Sequence, residues 1–217
     1  MKLYGFWRSL ATFRVRIALN LKGIAAEEPS IDLLKGEQYR PDYRQVNPQA
    51  MLPALDLGDG RPLFQSLAIL EYLEEAHPRP PLLPAGARER ARVRGLALIC
   101  ACDAHPLVVP RVRTYLADEL HLDEPARMKW IRHWLDEASA ALETHLSPGA
   151  GTGRYCQGDA VSLADVCLVS HVVGSRLFEC DLTPYPTVVR IADECLRLDA
   201  FARAHPLRQP GAPARPH

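Results

Sequence analysis

The sequence predicts a protein of the α/β plus all-α class, with a small α/β domain followed by an all-helical domain. Residues 1–80 alternate short apolar runs with helical periodicity, and from residue 87 onward the periodicity is helical almost throughout. Residues 77–84 contain four prolines, which favour an extended linker over a continuous helix. We therefore expect one domain over residues 1–80 and a second over residues 87–210.

The first domain is predicted to follow the order β-α-β-α-β-β-α. Phe13, Ile17 and Leu21 recur every four residues and give its first helix one apolar face. Gly-Asp-Gly at residues 58–60 indicates a hairpin between the last two strands. This order predicts a parallel βαβ start and an antiparallel finish. The predicted strands are 2–6, 28–31, 54–57 and 62–64, and the predicted helices are 12–22, 41–46 and 67–76.

The second domain is predicted to consist of helices alone. Pro106 and Pro110 should kink the first of them. Ser-Leu-Ala-Asp at residues 162–165 fits a capping box, so we expect the Asp165 side chain to close a helix start and to contribute to stability rather than to chemistry. The predicted helices are 87–118, 125–146, 163–178, 185–196 and 200–204.

The composition argues against several classes of function. The 26 basic and 26 acidic residues balance, so no nucleic-acid or membrane surface is expected. We also expect no apolar run long enough to span a bilayer and no signal peptide. The six cysteines show neither C-x-x-C nor metal-finger spacing, which predicts the reduced thiols of a cytoplasmic protein without a metal site.

The start of the first helix is a candidate anion site. Ser9 and Thr12 bring hydroxyl groups to a helix N-terminus, where backbone N–H groups and the helix dipole favour a small anion such as a thiolate. One of the two hydroxyls would serve as an N-cap. Arg8 directly before them adds a positive charge, although a lone arginine is by default a solvated surface residue.

Two short motifs further along the first domain indicate a site for a peptide ligand. Leu52-Pro53 directly precedes a predicted strand. In thioredoxin-like folds a proline at this place is cis, and the preceding backbone N–H and C=O face a cysteinyl peptide. Gln65-Ser66 lies between a strand and a helix. We expect Ser66 to cap that helix and, with the Gln65 amide, to face a ligand carboxylate. We therefore predict a thioredoxin-like fold for this domain.

Basic side chains of the second domain complete the set of candidate residues. His105, Arg111, Arg113 and Arg176 lie on predicted helices, and each is a weak signal by itself. Together with Arg8 they would supply several positive charges, which suits a small dicarboxylic substrate.

Taken together, these residues resemble the zeta class of glutathione transferases over nearly the whole chain, from Lys2 to about Pro210. The resemblance implies glutathione as the cofactor, a homodimer, and cis–trans isomerisation of maleylacetoacetate to fumarylacetoacetate. A close bacterial branch isomerises maleylpyruvate, and Phe-Trp-Arg-Ser at residues 6–9 resembles that branch in particular. The segments that carry the resemblance are 6–9, 14–23, 65–69, 158–159, 163–165 and 181–186.

The resemblance also implies roles for single residues. In the catalytic loop they are Ser9, which begins the loop, and the nearby Thr12. On the substrate side they are Arg8, His105, Arg111 and Arg176. Around glutathione they are Gln38 at the glycine end, the Leu52 backbone before Pro53 at the cysteinyl unit, and Gln65 and Ser66 at the γ-glutamyl end.

One departure from the class affects the catalytic loop. The class usually shows Ser-Ser-Cys where this chain has Ser9-Leu10-Ala11, so the thiol is missing, and so is the second hydroxyl, which is usually credited with stabilising the thiolate. Three alternatives follow: Ser9 or Thr12 replaces it, the backbone N–H groups suffice, or the isomerase rate is lost. Two other functions stay open. They are a glutathione transferase that conjugates electrophilic halides, and a non-catalytic binding module, against which the intact Gln65-Ser66 argues.

Overall fold

The computed structural model describes residues 1–147, 149 and 151–213, and the chain divides into two compact units. The first unit comprises Met1–Pro81 together with the C-terminal residues from Leu198 onward, and the second comprises Leu82–Arg197. The predicted class is confirmed, because the strands lie in the first unit and the second unit is built from helices.

A three-stranded sheet lies in the first unit. Its central strand pairs antiparallel with both neighbours, and the completely buried Leu55 lies opposite Leu3 in the register of the first pair. The strands are β1 (Lys2–Tyr4), β2 (Ala54–Asp56) and β3 (Leu63–Phe64).

The strand predicted at 28–31 is not a regular strand. The segment runs parallel to β1 through two isolated bridges, Lys2 with Glu27 and Gly5 with Ser30. Pro29 lies between the bridges and has no N–H to donate, although its carbonyl accepts from the Gly5 N–H at 3.1 Å. The parallel direction of the predicted βαβ start is therefore present, but as an irregular edge.

Three helices complete the main part of this unit. The first begins two residues earlier than predicted, because Ser9 is its N-cap: Ser9 Oγ accepts from the Thr12 N–H at 3.2 Å. Its apolar face, with the completely buried Phe13 and Ile17, contributes to the core. The helices are α1 (Leu10–Leu21), α2 (Pro41–Val46) and α3 (Ser66–Ala76), and α1 packs against α3.

Lys22 joins the end of α1 to the end of α3 and to the proline-rich segment. Its Nζ donates to Glu74 Oε2 at 2.9 Å, to the His77 carbonyl at 2.7 Å and to the Pro80 carbonyl at 3.0 Å. The Lys22 side chain is fully enclosed. A lysine has three hydrogens to donate, so these three acceptors satisfy the buried ammonium group.

The second unit is a set of helices arranged around a buried central helix, Leu163–Leu177, in which thirteen residues are buried. The predicted helix over 87–118 is continuous only in part, because a π-helical turn at Ile99–Ala104 and an extended Val109 before Pro110 interrupt it. The helices are α4 (Ala87–Leu98), α5 (His105–Val108), α6 (Pro110–Asp118), α7 (Glu124–His145), α8 (Leu163–Leu177) and α9 (Pro186–Leu196).

The last helix, α10 (Asp199–Ala204), packs on α1 of the first unit, whereas the sequence assigned it to the second domain. Asn20 Nδ2 donates to the Ala200 carbonyl at 2.9 Å, and the ring centroids of Phe13 and His205 lie 5.9 Å apart. The observed division therefore differs from the boundary predicted at 87–210. Helical periodicity identifies a helix but not the surface on which that helix packs.

By length and composition alone, the helical stretch 87–118 is long and apolar enough to cross a membrane. The expectation that no such stretch exists is therefore wrong on this measure. A core helix passes the same test, so a single stretch of this kind is weak support for a membrane span. Here α4 packs against α8, and Leu96 and Ala97 are buried.

The predicted capping box at the start of α8 is confirmed. Asp165 is completely buried, and its carboxylate accepts from the Ser162 N–H at 2.8 Å, from Ser162 Oγ at 2.7 Å and from the Cys156 N–H at 2.8 Å. Burial raises the pKa of Asp165, and these donors oppose that rise because they favour the charged form. Asp165 thus fixes the loop before α8 as well as the helix start.

We predict that Asp165→Ala lowers the free energy of unfolding by about 3 kcal/mol, because buried N–H groups of two residues lose their acceptor. Urea denaturation followed by circular dichroism measures the change. The control is Glu137→Ala on the exposed face of α7, for which we expect a change within about 0.5 kcal/mol. Equal stability losses in the two variants would contradict the structural role of Asp165.

Candidate functional site

The start of α1 presents unused hydrogen-bond donors. The Ser9 hydroxyl accepts from the Thr12 N–H, and the Ser9 carbonyl accepts from the Phe13 N–H at 2.9 Å. The N–H groups of Leu10 and Ala11 have no acceptor among the described residues. A hydroxyl that accepts keeps its own hydrogen, so Ser9 is still able to donate. These donors at a helix N-terminus suit a small anion.

The structure separates the two hydroxyl residues expected here. Ser9 and Arg8 are partly exposed, whereas Thr12 is completely buried. Thr12 Oγ1 has no hydrogen-bond partner in the described part of the chain. The neighbouring side chains of Leu10 and Ala11 are also buried. Of the two hydroxyls, Ser9 is therefore the one that a ligand can reach, and Thr12 takes part in packing.

Two donors fix the turn between β1 and α1 through a single carbonyl. The Phe6 carbonyl accepts from the Ser9 N–H at 3.0 Å and from Arg16 Nη2 at 3.1 Å. Arg16 is almost fully buried, and its guanidinium forms an ion pair with Glu28, with Nε 2.8 Å from Oε1 and 2.9 Å from Oε2. The buried Arg16, with Glu28 as its counter-charge, therefore supports the loop that carries Trp7, Arg8 and Ser9.

Gly5 has no side chain, and the Glu28 carboxylate and the Thr12 side chain lie close to its backbone. A Cβ atom at Gly5 would lie 2.5 Å from Glu28 Oε1 and 2.6 Å from Thr12 Cγ2. Both distances are too short for real contacts, so the absence of a side chain at this position allows the edge segment and α1 to approach β1.

Leu52-Pro53 has the predicted cis peptide bond and directly precedes β2. Within the described residues, neither the N–H nor the C=O of Leu52 bonds to another backbone group. The preceding Met51 carbonyl is held by Tyr43 Oη at 2.6 Å and by Asn47 Nδ2 at 2.8 Å. Burial raises the pKa of Tyr43, so its hydroxyl stays a donor. An extended peptide could pair with the backbone at Leu52.

Gln65 and Ser66 join β3 to α3. Gln65 has a φ of +68°, which is uncommon for a residue with a side chain and is characteristic of functional sites. Its Nε2 donates to Gln49 Oε1 at 3.1 Å. Ser66 is the first helical residue rather than the cap, which corrects the expectation that it caps α3. Its buried hydroxyl instead accepts from Arg14 Nη1 at 3.1 Å.

Arg14 is a buried residue beside the candidate site that the sequence analysis did not single out. It is 1% exposed on α1, although arginine is almost never fully buried without a partner. Its partner Ser66 lies 52 positions away in the sequence, so no local pattern indicates the contact. The one available signal was a charged residue between Phe13 and Val15 in an apolar helix.

Gln38 also fits a ligand-binding role. It lies on a short 3₁₀ helix, Glu37–Tyr39, and is 6% exposed. Its Oε1 is buried and has no hydrogen-bond partner among the residues that the structure describes. A buried carbonyl oxygen without a donor is costly, and a bound ligand that donates to it would remove that cost.

The basic candidates of the second unit lie on three different helices. His105 begins α5, and Arg111 is exposed in the first turn of α6. Arg176, in the last turn of α8, forms an ion pair with Asp193 at 2.7 Å. Arg113 lies 5.5 Å from the ring centroid of Phe178. Of the two exposed arginines, Arg176 is thus paired with an acidic residue, whereas no ion pair of Arg111 is seen within the described residues.

Metal ions in proteins are held by groups of ligand side chains. Among the described residues, no group of three or more His, Cys, Asp and Glu side chains could hold a metal ion. All six cysteines are free, and four of them are buried. Burial raises the pKa of Cys156 and of Cys195, so these thiols stay protonated.

Comparison with known proteins identifies similar chains along the full length. Residues 1–75 match the family described as "Glutathione S-transferase, N-terminal domain". A protein named maleylpyruvate isomerase from Ralstonia sp is 46% identical over 210 residues, which cover 97% of this chain and 99% of that relative.

Two solved structures are similar in fold and sequence. A maleylacetoacetate isomerase from Methylobacterium extorquens AM1, crystallised with malonate and GSH (glutathione), has a TM-score of 0.97 and 58% identity, and covers 99% of this chain and 100% of that one. The second is a holo maleylpyruvate isomerase, described as a bacterial glutathione S-transferase of the zeta class. Its TM-score is 0.95 and its sequence identity 45%, and the match covers 98% of this chain and 100% of that chain.

We predict that Glu28→Ala lowers the free energy of unfolding by about 2 kcal/mol, because the buried Arg16 guanidinium loses its counter-charge while Glu28 itself is partly exposed. Thermal and urea denaturation measure the loss. The matched control is Glu27→Ala at the exposed neighbouring position, which should change stability by less than about 0.5 kcal/mol. If Glu28→Ala proves as stable as that control, the ion pair does not support the loop.

Proposed function

Because the chain belongs to the zeta class of glutathione transferases, the class of the maleylacetoacetate and maleylpyruvate isomerases, we propose that it uses glutathione to isomerise the cis double bond of a small dicarboxylic keto acid. The observation that carries this proposal is the start of α1. There an accessible Ser9 hydroxyl lies beside two backbone N–H groups for which the described residues offer no acceptor.

The described residues fit glutathione along the predicted site. Within the part of the chain that the structure describes, Gln38 has a buried oxygen without a donor, and the Leu52 backbone has no backbone partner and could pair with a cysteinyl unit. Ser66 lies at the N-terminus of α3, where a carboxylate is favoured. We propose that these three residues and Gln65 hold the tripeptide, with its sulfur at the start of α1.

When bound, glutathione supplies the thiolate that adds reversibly to the substrate double bond and so permits rotation about it. The chain's contribution is electrostatic. Ser9 Oγ–H and the N–H groups of Leu10 and Ala11 stabilise a negative sulfur, and the dipole of α1 lowers the pKa of a thiol at its N-terminus. Leu10 and Ala11 stand where the class has a second hydroxyl and a thiol. We propose that Ser9 and the backbone N–H groups together replace that second hydroxyl in stabilising the thiolate.

We propose that arginines hold the substrate carboxylates and stabilise the enolate charge that develops on the substrate. Arg8 and Arg111 are the first choices, because Arg8 adjoins Ser9 and Arg111 is exposed at a helix start. His105 and Arg176 stay proposed substrate residues from the resemblance. Arg176 would have to share its charge with Asp193.

We propose a cytoplasmic location, with which six free cysteines are consistent, and a homodimer, which the zeta-class resemblance implies. Substrates are small dicarboxylic keto acids, and no nucleic acid takes part, because the formal net charge is zero.

Arg8→Ala and Arg111→Ala should each lower kcat/KM for isomerisation by about 100-fold while glutathione affinity changes by less than about threefold. The reason is that these guanidinium groups act on the substrate rather than on the tripeptide. Isomerisation is followed by the absorbance of the enol substrate, and glutathione binding by isothermal titration calorimetry.

The control for both arginine variants is Arg88→Ala on α4, an exposed arginine outside the proposed site, which should leave both quantities unchanged. Full turnover in both Arg8→Ala and Arg111→Ala would refute their assignment to the substrate.

Turnover of three substrates separates the proposed function from its rivals. Maleylacetoacetate or maleylpyruvate should be isomerised at least about 100-fold faster than a chlorinated aromatic is conjugated, because arginines favour carboxylates over an apolar electrophile. A higher rate with the chlorinated aromatic would support a generic transferase instead. Glutathione binding without any turnover would support a non-catalytic binding module.

A further inference from the structure

The Arg14–Ser66 contact joins two helices that both begin at the proposed glutathione site. Arg14 Nη1 lies 3.1 Å from Ser66 Oγ, and the two residues are 1% and 6% exposed. Arg14 is on the second turn of α1, the helix that Ser9 caps, and Ser66 is the first residue of α3. A charged donor is thus buried directly behind a hydroxyl that the ligand is proposed to contact.

The chemistry of the two groups determines the direction of this hydrogen bond. A guanidinium group has donors and no acceptor, so Ser66 Oγ accepts. The single hydrogen of Ser66 is then left for another partner, and no acceptor for it is found in the described part of the chain. A hydroxyl that accepts from a charged donor in a buried place also becomes a stronger donor itself.

We infer that Arg14 is a positioning residue for the glutathione site, which acts through Ser66 by fixing its hydroxyl as a donor toward the ligand. This inference rests on the proposed function, because it concerns the affinity of the same site. Arginine suits the task because its charge is permanent and its planar guanidinium presents Nη1 to Ser66 Oγ in a fixed direction.

The competing explanation is that Arg14 only stabilises the packing of α1 on α3. Substitutions of Arg14 would then lower stability, and any effect on glutathione affinity would be independent of Ser66. A double-mutant cycle distinguishes the two explanations, because energies of independent positions add and those of a coupled pair do not.

The experiment measures the glutathione Kd by isothermal titration calorimetry for the natural chain, Arg14→Met, Ser66→Ala and the double variant. We expect each single change to raise Kd by about tenfold and the double change to raise it by about tenfold as well, rather than by the roughly hundredfold of independent effects. The KM for glutathione should rise in parallel with Kd in each variant, because Arg14 and Ser66 act on glutathione binding.

Lys22→Met is the matched control, since it also removes a buried cation, but one that directly follows the C-terminal end of α1 and is bound to Glu74. It should lower the melting temperature without changing Kd. If Arg14→Met does not fold, Arg14→Lys replaces it in the cycle and should show a smaller but equally coupled loss, because a lysine keeps the charge and loses the fork.

Additive effects, or an Arg14 variant that binds glutathione as tightly as the natural chain, would overturn the inference and leave the proposed function standing. Absence of glutathione binding by the natural chain would overturn the proposed function itself, and the inference with it. Coupled effects in the cycle support both.

Discussion

The ion pair between the buried Arg16 and the partly exposed Glu28 is the interaction on which the site depends. It connects α1 to the irregular edge beside β1, and the same guanidinium holds the Phe6 carbonyl. That carbonyl also accepts from the Ser9 N–H, so the turn that begins α1 is fixed from both sides. A helix N-terminus binds an anion only if its donors stay in place, and here the pair keeps them there.

A single helix therefore serves the fold and the site together. The apolar side of α1 packs in the core through Phe13 and Ile17, and its start offers the donors of the proposed thiolate site. Its two arginines are buried, and each contacts a different part of the site: Arg16 the loop before Ser9, and Arg14 the hydroxyl of Ser66. Substitutions in this helix should consequently affect stability and binding at once.

Features that depend on local chemistry could be predicted from the sequence, and features that depend on distant partners could not. Ser9 as N-cap and the Asp165 capping box follow from hydroxyl and carboxylate groups beside a helix start. The burial of Arg14 depends on a residue 52 positions away, and the enclosure of Thr12 depends on packing. The packing of α10 on α1 likewise has no signal in helical periodicity.

The most direct test is the pKa of glutathione bound to the protein, measured from the ultraviolet absorbance of its thiolate across a pH titration. If the start of α1 stabilises the sulfur anion, the thiol should titrate well below about 8.5, the value of an unperturbed cysteine thiol, and Ser9→Ala should raise that pKa. A bound thiol that titrates at its free value in the natural chain would contradict the account.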